Sequence, residues 1–449
     1  MPETPVVITG MGVVSSLGLG RESFWRALTE GRCGLTPLES RTDGEVVPGP
    51  GTIPAGLRIG GAVTDFDPKH WVRPRKALKV MCREIQTAFA AAQMAIDDAR
   101  LTEAFPATAD GPISPARIGT VFGSEMFYGP PAEMVDAFRE CVRPDGSVDG
   151  SRFGNAAIRG IMPLWMLKYL PNMPACHVGI AVNAHGPNNT LVQGDVSGPA
   201  AVIEAVACIR RGLADVVISG ATGTRLNATR MNYRGDTPLA PPADPIAHTC
   251  RAHDPAALGT VCGEASAAVT LEPAPLVSRR GGRPLAEIVA VACRFAASPA
   301  LAKRARSAEP QAAAARGSAA AVADAVDATL EASGLSPRRL GLIVGHGMGD
   351  PQSDAAEREG LSQRCANIPY ATPIPAVGHA AAASGMMGLI TAVAAIHSRT
   401  IPPTLNAETA TGVRPLATAA PLEGDHVLAL AHNADGNCTA ILLRVPAQG

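Results

Sequence analysis

Gly186-Pro187-Asn188-Asn189-Thr190-Leu191-Val192-Gln193-Gly194-Asp195-Val196-Ser197-Gly198-Pro199-Ala200-Ala201-Val202-Ile203-Glu204-Ala205-Val206-Ala207-Cys208-Ile209-Arg210-Arg211-Gly212 is the stretch on which the reading of this chain turns. Over 196–211, Val196, Ala200, Val202, Ile203, Ala205, Val206 and Ile209 cover nearly every face at helical spacing. A helix that is apolar all round is a buried one. Its N-terminus presents free backbone N–H groups and the positive end of the helix dipole. Asp195 stands at that end. Asp is among the best N-cap residues, so a cap is one reading of it. A carboxylate occupying a reaction centre is the other. Pro199 falls in the first turn, where a missing N–H does little harm.

Outward from this stretch, apolar β-rich runs alternate with longer Ala-rich runs, an α/β signature. The order repeats coarsely. An amphipathic helix over 82–100, with Ile85, Phe89, Met94 and Ile96 apolar, precedes the strand Ile118-Gly119-Thr120-Val121-Phe122-Gly123. A second helix over 318–333, with Val322, Val326 and Leu330 on one face, precedes Leu340-Gly341-Leu342-Ile343-Val344-Gly345. Later in each half a buried helix (196–211 and 385–397) leads to a strand at 216–218 and at 427–430. The spacing predicts two similar layers packed face to face, dividing near Pro273–Pro275 into halves of 1–272 and 273–449. Residues 41–60 read as a surface loop, and 298–311, with Lys303, Arg304 and Arg306, as an exposed basic loop.

Composition narrows the classes. The chain has 449 residues, 46% hydrophobic and 4% aromatic, enough for a large core and too long for one ordinary domain. A net charge of -1 gives no global attraction to nucleic acid or an anionic membrane. No apolar run reaches about 18 residues, so no membrane span is expected. The acidic start lacks the basic and apolar regions of a signal peptide, which predicts a cytoplasmic protein. Ten cysteines without CxxC or zinc-like spacing read as buried thiols; no cofactor and no metal are expected. Cys208 falls mid-helix and reads as core. Cys438 lies on a loop and is a poor replacement nucleophile. Arg73, Arg75, Lys76, Lys79 and Arg83 form a basic cluster that reads either as a solvated face or as a surface for an acidic partner.

Two histidines stand out. His346 follows a strand in Val344-Gly345-His346-Gly347-Met348-Gly349-Asp350, and glycines on both sides let backbone approach a ligand closely. His379 lies in Val377-Gly378-His379-Ala380, ahead of the second buried helix. These motifs, with Val6-Val7-Ile8-Thr9-Gly10-Met11-Gly12-Val13-Val14-Ser15 and Gly18, Phe24-Trp25, Gly31-Arg32-Cys33-Gly34, Cys250-Arg251 to Asp254, Gly263-Glu264-Ala265, Pro351, Asp354, Glu357 and Gly385, resemble β-ketoacyl–acyl carrier protein synthases, the ketosynthase branch of the thiolase superfamily. The resemblance runs nearly end to end. It implies a thiolase-like α/β fold: two βαβαβ-type halves in a five-layered α-β-α-β-α arrangement. It also implies that Gly10-Met11-Gly12 serves as a turn.

The family's centre is Cys-His-His. Counting forward from Gly186-Pro187-Asn188 and back from Arg210-Arg211-Gly212 both place Asp195 at the cysteine position. Other departures cluster with it. The lysine expected five residues before the second histidine is Ile374, and the threonine two after the first is Met348. The acidic residue expected after the strand at 216–218 gives way to Ala221-Thr222-Gly223. The Gly-Phe-Gly-Gly loop is replaced by Asn433-Ala434-Asp435-Gly436-Asn437-Cys438-Thr439.

A carboxylate is a poorer nucleophile than a thiolate, and its acyl product would be a reactive anhydride, so condensation at Asp195 is not expected. The resemblance implies a non-condensing, chain-length-factor-like subunit of fatty acid or polyketide biosynthesis. Its partners would be acyl carrier protein and either a second copy or a cysteine-bearing ketosynthase. The alternative is changed chemistry, a thioester hydrolase or decarboxylase using Asp195, His346 and His379. Met348, Ile374, Asn433 and Asp435 are then the expected substrate-facing positions.

Overall fold

Strand Val6–Ser15 (β1) is buried along all ten residues and joins the two halves of the molecule. The structure is a computed structural model that describes residues 4–38, 58–127, 129, 131–226, 237–304, 316–365 and 367–446. In the first half β1 is followed by Ile118–Gly123 (β2), Asn188–Leu191 (β3), Val216–Thr224 (β4) and Glu264–Pro273 (β5). In the second half come Ala286–Phe295 (β6), Leu340–Val344 (β7), Pro369–Ala371 (β8), His426–His432 (β9) and Asn437–Arg444 (β10). They lie in the order β3-β2-β4-β5-β1-β6-β10-β9-β7-β8. The first half thus reads 3-2-4-5-1, and the second repeats it five places on.

The sense of pairing repeats too. β2 is parallel to β3 and β4, and β7 is parallel to β8 and β9, while the other pairs are antiparallel. Successive strands that run in the same direction need a crossover, and helices supply it. These are Arg83–Asp98 (α1) before β2, Ser197–Arg210 (α2) between β3 and β4, Ala319–Ser333 (α3) before β7, Pro351–Cys365 (α4) before β8 and Ser384–Ser398 (α5) before β9. α1 covers one outer face and α3 with α4 the other; α2 and α5 lie against each other between the sheet halves. That is the five-layered thiolase-like arrangement. The halves are not two separate sheets, however, because Val6–Ile8 of β1 pair with Ala286–Ile288 of β6 and make the sheet continuous.

Three expectations change. Gly10-Met11-Gly12 is not a turn; it lies in mid-β1. A Cβ on Gly12 would sit 2.0 Å from the Ala91 carbonyl oxygen, and one on Gly10 would sit 2.1 Å from that of Ala95. The glycines let α1 rest on bare strand backbone. Gly12→Ala is therefore expected to lower stability by about 1–3 kcal/mol or more, read as a drop in the denaturant midpoint, because rigid backbone cannot yield.

The second change concerns apolar length. Ala381–Ser398 is an 18-residue helical run long and apolar enough to cross a membrane, and 89% of it is buried inside the protein. The sequence expectation of no such run was too strict; this one is the core helix α5 with its preceding turn.

The third concerns loops. Residues 41–57 of the expected surface loop lie outside the described residues, and Ile59–Gly60 pairs with Thr36–Pro37. Residues 299–304 of the expected basic loop are a short helix. The side chains of Lys303 and Arg304, and all of Arg306, lie outside the described set.

Candidate active site

Asp195 reaches its place through a tight entry into α2. β3 ends at Leu191, Gly194 adopts φ +65, and a 3-10 turn over Gly194–Val196 runs into the helix. Glycine takes that left-handed conformation without a Cβ penalty. The cap reading of Asp195 does not hold: Val196 precedes the first helical residue, and the carboxylate makes no capping bond. Ser197 does the local work. Its hydroxyl donates to the Gly194 carbonyl at 2.6 Å and accepts from the Gln193 N–H at 2.9 Å. The Asp195 side chain is released to face inward, where 7% of the residue is exposed.

α5 packs against that turn. A Cβ on Gly385 would lie 2.6 Å from the Asp195 carbonyl oxygen, and one on Gly198 would lie 2.7 Å from Met386 Cβ. The two buried helices therefore approach as closely as their backbones allow.

His346 is held from below by α4. Its backbone N–H donates to Glu357 Oε1 at 2.9 Å, and that of Gly347 donates to the Tyr370 hydroxyl at 2.9 Å. The Met348 and Gly349 N–H groups donate to the two carboxylate oxygens of Asp354. One helix thus grips the loop 346–349 with two carboxylates three residues apart. The flanking glycines make room for this grip. A Cβ on Gly345 would meet Glu357 Oε1 at 2.1 Å, and one on Gly347 would meet His253 Nε2 at 2.5 Å. His379 is fixed by the chain at 261–263: its N–H donates to the Val261 carbonyl at 2.7 Å and its carbonyl accepts from Gly263 at 3.0 Å.

These three segments bring Asp195, His346 and His379 together. His379 Nε2 lies 3.2 Å from Asp195 Oδ1, and His346 Nε2 lies 3.7 Å from Oδ2. A fourth member comes from the end of β4: Arg225 places a guanidinium nitrogen 3.8 Å from Oδ1. Burial pushes the Asp195 carboxyl up, but His379, His346 and Arg225 outweigh it and hold the group well below the usual carboxylate range. It is ionised at neutral pH. Burial lowers His379 more than Asp195 raises it, and Arg225 adds to the lowering, so this imidazole is neutral at pH 7. Asp195 Oδ1, His346 Nε2 and both ring nitrogens of His379 lack well-aligned hydrogen bonds despite their burial. The contacts are close but not linear.

Two histidines and a carboxylate are also a donor set for a divalent ion, and their ligand atoms lie within 4.8 Å of one another. Arg225 weighs against that use. Its guanidinium already faces the carboxylate at 3.8 Å, and a cation bound to that carboxylate would be repelled by it in the buried, low-dielectric surroundings. The charge of Asp195 is balanced without a metal.

Other expected positions divide. Asn433 is buried and ties the rebuilt loop to the Asp195 turn: its amide donates to the Gln193 carbonyl at 2.9 Å, and its Oδ1 accepts from the N–H groups of 435, 436 and 437. Asp435 does not join the cluster. Its side chain is exposed, because Asn433 takes the inward place and Asp435 contributes only backbone bonds. Met348 and Ile374 are buried and apolar. Thr222, where the acid was expected, lies inside β4 in a hydroxyl chain with Ser266 and Thr87.

No described thiol replaces the missing one. Cys438 is pushed well up by burial. Cys262, bridged to His379 along the backbone, is pushed up to about 12 and stays protonated. Arg83 leaves the basic cluster, since it forms a two-pronged bond with buried Glu264; Arg73, Arg75, Lys76 and Lys79 remain exposed.

Sequence reasoning missed Arg225, and it missed a second layer behind His346. Buried Glu357 accepts from the Tyr370 hydroxyl at 3.1 Å. Its Oε2 lies 3.3 Å from His432 Nε2 and 3.7 Å from His253 Nε2. The ring of His432 stands edge-on to His346 with centroids 5.3 Å apart. His432 had a faint signal, an imidazole two residues past the strand expected at 427–430. Arg225 had none.

Comparison with known proteins gives the family. Residues 3–275 match the model of the beta-ketoacyl synthase N-terminal domain, and residues 301–408 match that of the C-terminal domain. The ketoacyl synthase alpha subunit of the tetracenomycin polyketide synthase of Streptomyces glaucescens is 30% identical over 412 residues, covering 90% of this chain and 88% of that one. The 3-oxoacyl-(acyl-carrier-protein) synthase 2 of Synechocystis sp. is 27% identical over 416 residues, with 90% and 88% covered. Among solved structures, the ishigamide ketosynthase/chain length factor superposes with a TM-score of 0.77 at 22% identity, over 99% of this chain and 100% of that one. A beta-ketoacyl synthase from Burkholderia phymatum STM815 gives 0.79 at 22%, over 98% and 99%. The chain belongs to the beta-ketoacyl synthase family.

Proposed function

We propose that this beta-ketoacyl synthase family member is a non-condensing, chain-length-factor-like subunit of a polyketide or fatty acid system in the cytoplasm. One observation carries the reading: an ionised carboxylate sits between His346, His379 and Arg225, where the family has its thiol. Condensation needs a nucleophile that takes an acyl group and gives it up again. A carboxylate that three basic groups hold in its ionised form is a weak nucleophile, and an acyl-aspartyl anhydride would not wait for the second substrate. The centre is set up to stay charged and intact. Asp195 fixes the two imidazoles, and Arg225 balances it.

An exposed edge supports pairing with a partner. β3 is an edge strand, with Asn188 and Asn189 exposed, and an unpaired edge is a template for another chain. Val192 directly after it, Met126 just past the neighbouring β2, and Ile180 on the helix Met173–Val182 that packs on both strands are 49%, 50% and 75% exposed. Such apolar residues around a free strand suit a subunit interface. A relative named for a polyketide synthase subunit, and a structural neighbour named as a ketosynthase/chain length factor, agree with pairing to a cysteine-bearing ketosynthase. Arg73, Arg75, Lys76 and Lys79 are exposed and suit an acidic carrier protein.

The purified chain, incubated with acyl and malonyl carrier proteins, is expected to give no β-ketoacyl product by mass spectrometry. It is expected to co-purify with a cysteine-bearing ketosynthase co-expressed with it. Product from the chain alone would end the proposal.

A second reading rests on the 3.2 Å contact between Asp195 and neutral His379, a pair able to move a proton. It assigns the centre to thioester hydrolysis or malonyl decarboxylation. Turnover of malonyl or acyl carrier protein that Asp195→Asn abolishes would favour it over the first.

A further inference from the structure

We propose that His432 is the counter-cation of buried Glu357, and that through Glu357 it positions His346. The proposal holds whether the centre binds an acyl group or transforms one.

Glu357 is fully buried, and a buried carboxylate needs a cation or enough donors to stay ionised. Its two oxygens are used differently. Oε1 takes the His346 N–H at 2.9 Å and the Tyr370 hydroxyl at 3.1 Å. Oε2 is left to two imidazoles, His432 at 3.3 Å and His253 at 3.7 Å. No lysine or arginine makes a described ion pair with Glu357. Position 374 carries a buried isoleucine.

His432 is better placed than His253 to hold the charge. His253 Nε2 also meets the Tyr370 hydroxyl at 2.9 Å, so its nitrogen is shared. His432 Nε2 faces Glu357 alone among the described bonds. The surroundings add to this. Glu357 and Asp354 from α4, and Asp195 from the turn before α2, all favour a charged His432 and outweigh its burial, so its pKa lies above the ordinary value. Burial pushes Glu357 up, but His432 and His253 bring it down to about 2. His346 stands edge-on at 5.3 Å, Cys438 is the protonated cross-strand partner, and Nδ1 is buried beside Gly317 with no hydrogen-bond partner among the described residues.

His432 ends β9, and the rebuilt loop starts at the next residue.

The test is a titration of the whole protein with its ten histidines labelled at Cε1, assigned with His432→Gln and His432→Lys. The His432 signal is expected to titrate above the unperturbed value of about 6.5. His432 contributes stability below about pH 6.5, and this is lost as pH rises through its folded pKa. The wild type should therefore lose stability relative to His432→Gln between pH 6 and pH 9. His432→Lys, charged throughout, should stay level with or above the wild type at pH 8. The His346 signal should move in His432→Gln and return in His432→Lys, a recovery that loss of packing alone would not give. A His432 that titrates at or below the ordinary value overturns the proposal, and so does a folded His432→Lys whose His346 signal stays displaced. Where His432→Gln does not fold, the wild-type titration alone decides.

Discussion

Asp195→Cys is expected to turn a chain of slow thiols into one with a single fast thiol. The new sulfur would stand at the N-terminal end of α2, beside His379 and His346. Helix N-termini and neighbouring imidazoles lower a thiol from about 8.5 into a range of roughly 3.5–7.5. At neutral pH the thiolate fraction then rises by about tenfold or more, less a partial offset from reduced intrinsic nucleophilicity. Several natural cysteines are held back by burial. Cys250, Cys262 and Cys438 are buried with raised pKa values, and even exposed Cys293 is raised. Brief iodoacetamide treatment followed by peptide mapping should label position 195 first. The same variant should take an acyl group from acyl carrier protein: the thiolate attacks the thioester carbonyl, and the carrier's thiol leaves with a proton. His379→Ala in that background should slow both reactions. A residue 195 that labels no faster than Cys293 would mean that the helix end and the imidazoles do not act on the position.

Arg225→Leu is expected to cost about 3–5 kcal/mol of unfolding free energy, the range for removing one partner of a buried ion pair. Asp195 and Arg225 have side-chain exposures of 10% and 11%, so water cannot replace the lost partner. The loss follows from the charge left behind. Asp195→Leu/Arg225→Leu should therefore recover most of it, because two apolar side chains need no compensation. His379 offers an internal check. Burial is the largest influence lowering its pKa, and Arg225 adds to it, so the single variant should shift His379 upward. A double variant as unstable as the single one would show that Arg225 acts through packing and not through charge.

The catalytic-type frame was legible because its parts are local. Asp195 could be counted from anchors on both sides of one segment, and His346 and His379 each lie in a glycine-flanked motif at the end of an element. The same local logic failed where direction in space mattered. Asp435 and Asn433 are two residues apart in one turn; the turn geometry sends the amide inward to Gln193 and the carboxylate outward. Gly10 and Gly12 looked like a bend and proved to be the bare patch under α1. Arg83 looked like a surface charge until Glu264, 181 residues away, was seen to hold it.

The amino-acid order alone fixed the alternation of strands and helices, the duplication, and the place of a carboxylate at the end of a buried helix; that a thiol is the family's choice there came from the resemblance. These depend on hydrophobic period and on spacing within short segments, which the chain carries wherever it folds. The charge state of the centre was decided by the tertiary structure. Arg225, His432, Glu357 and Asp195 come from four distant segments that meet only when the sheet closes across β1 and β6, and burial there makes each carboxylate depend on the cation placed beside it.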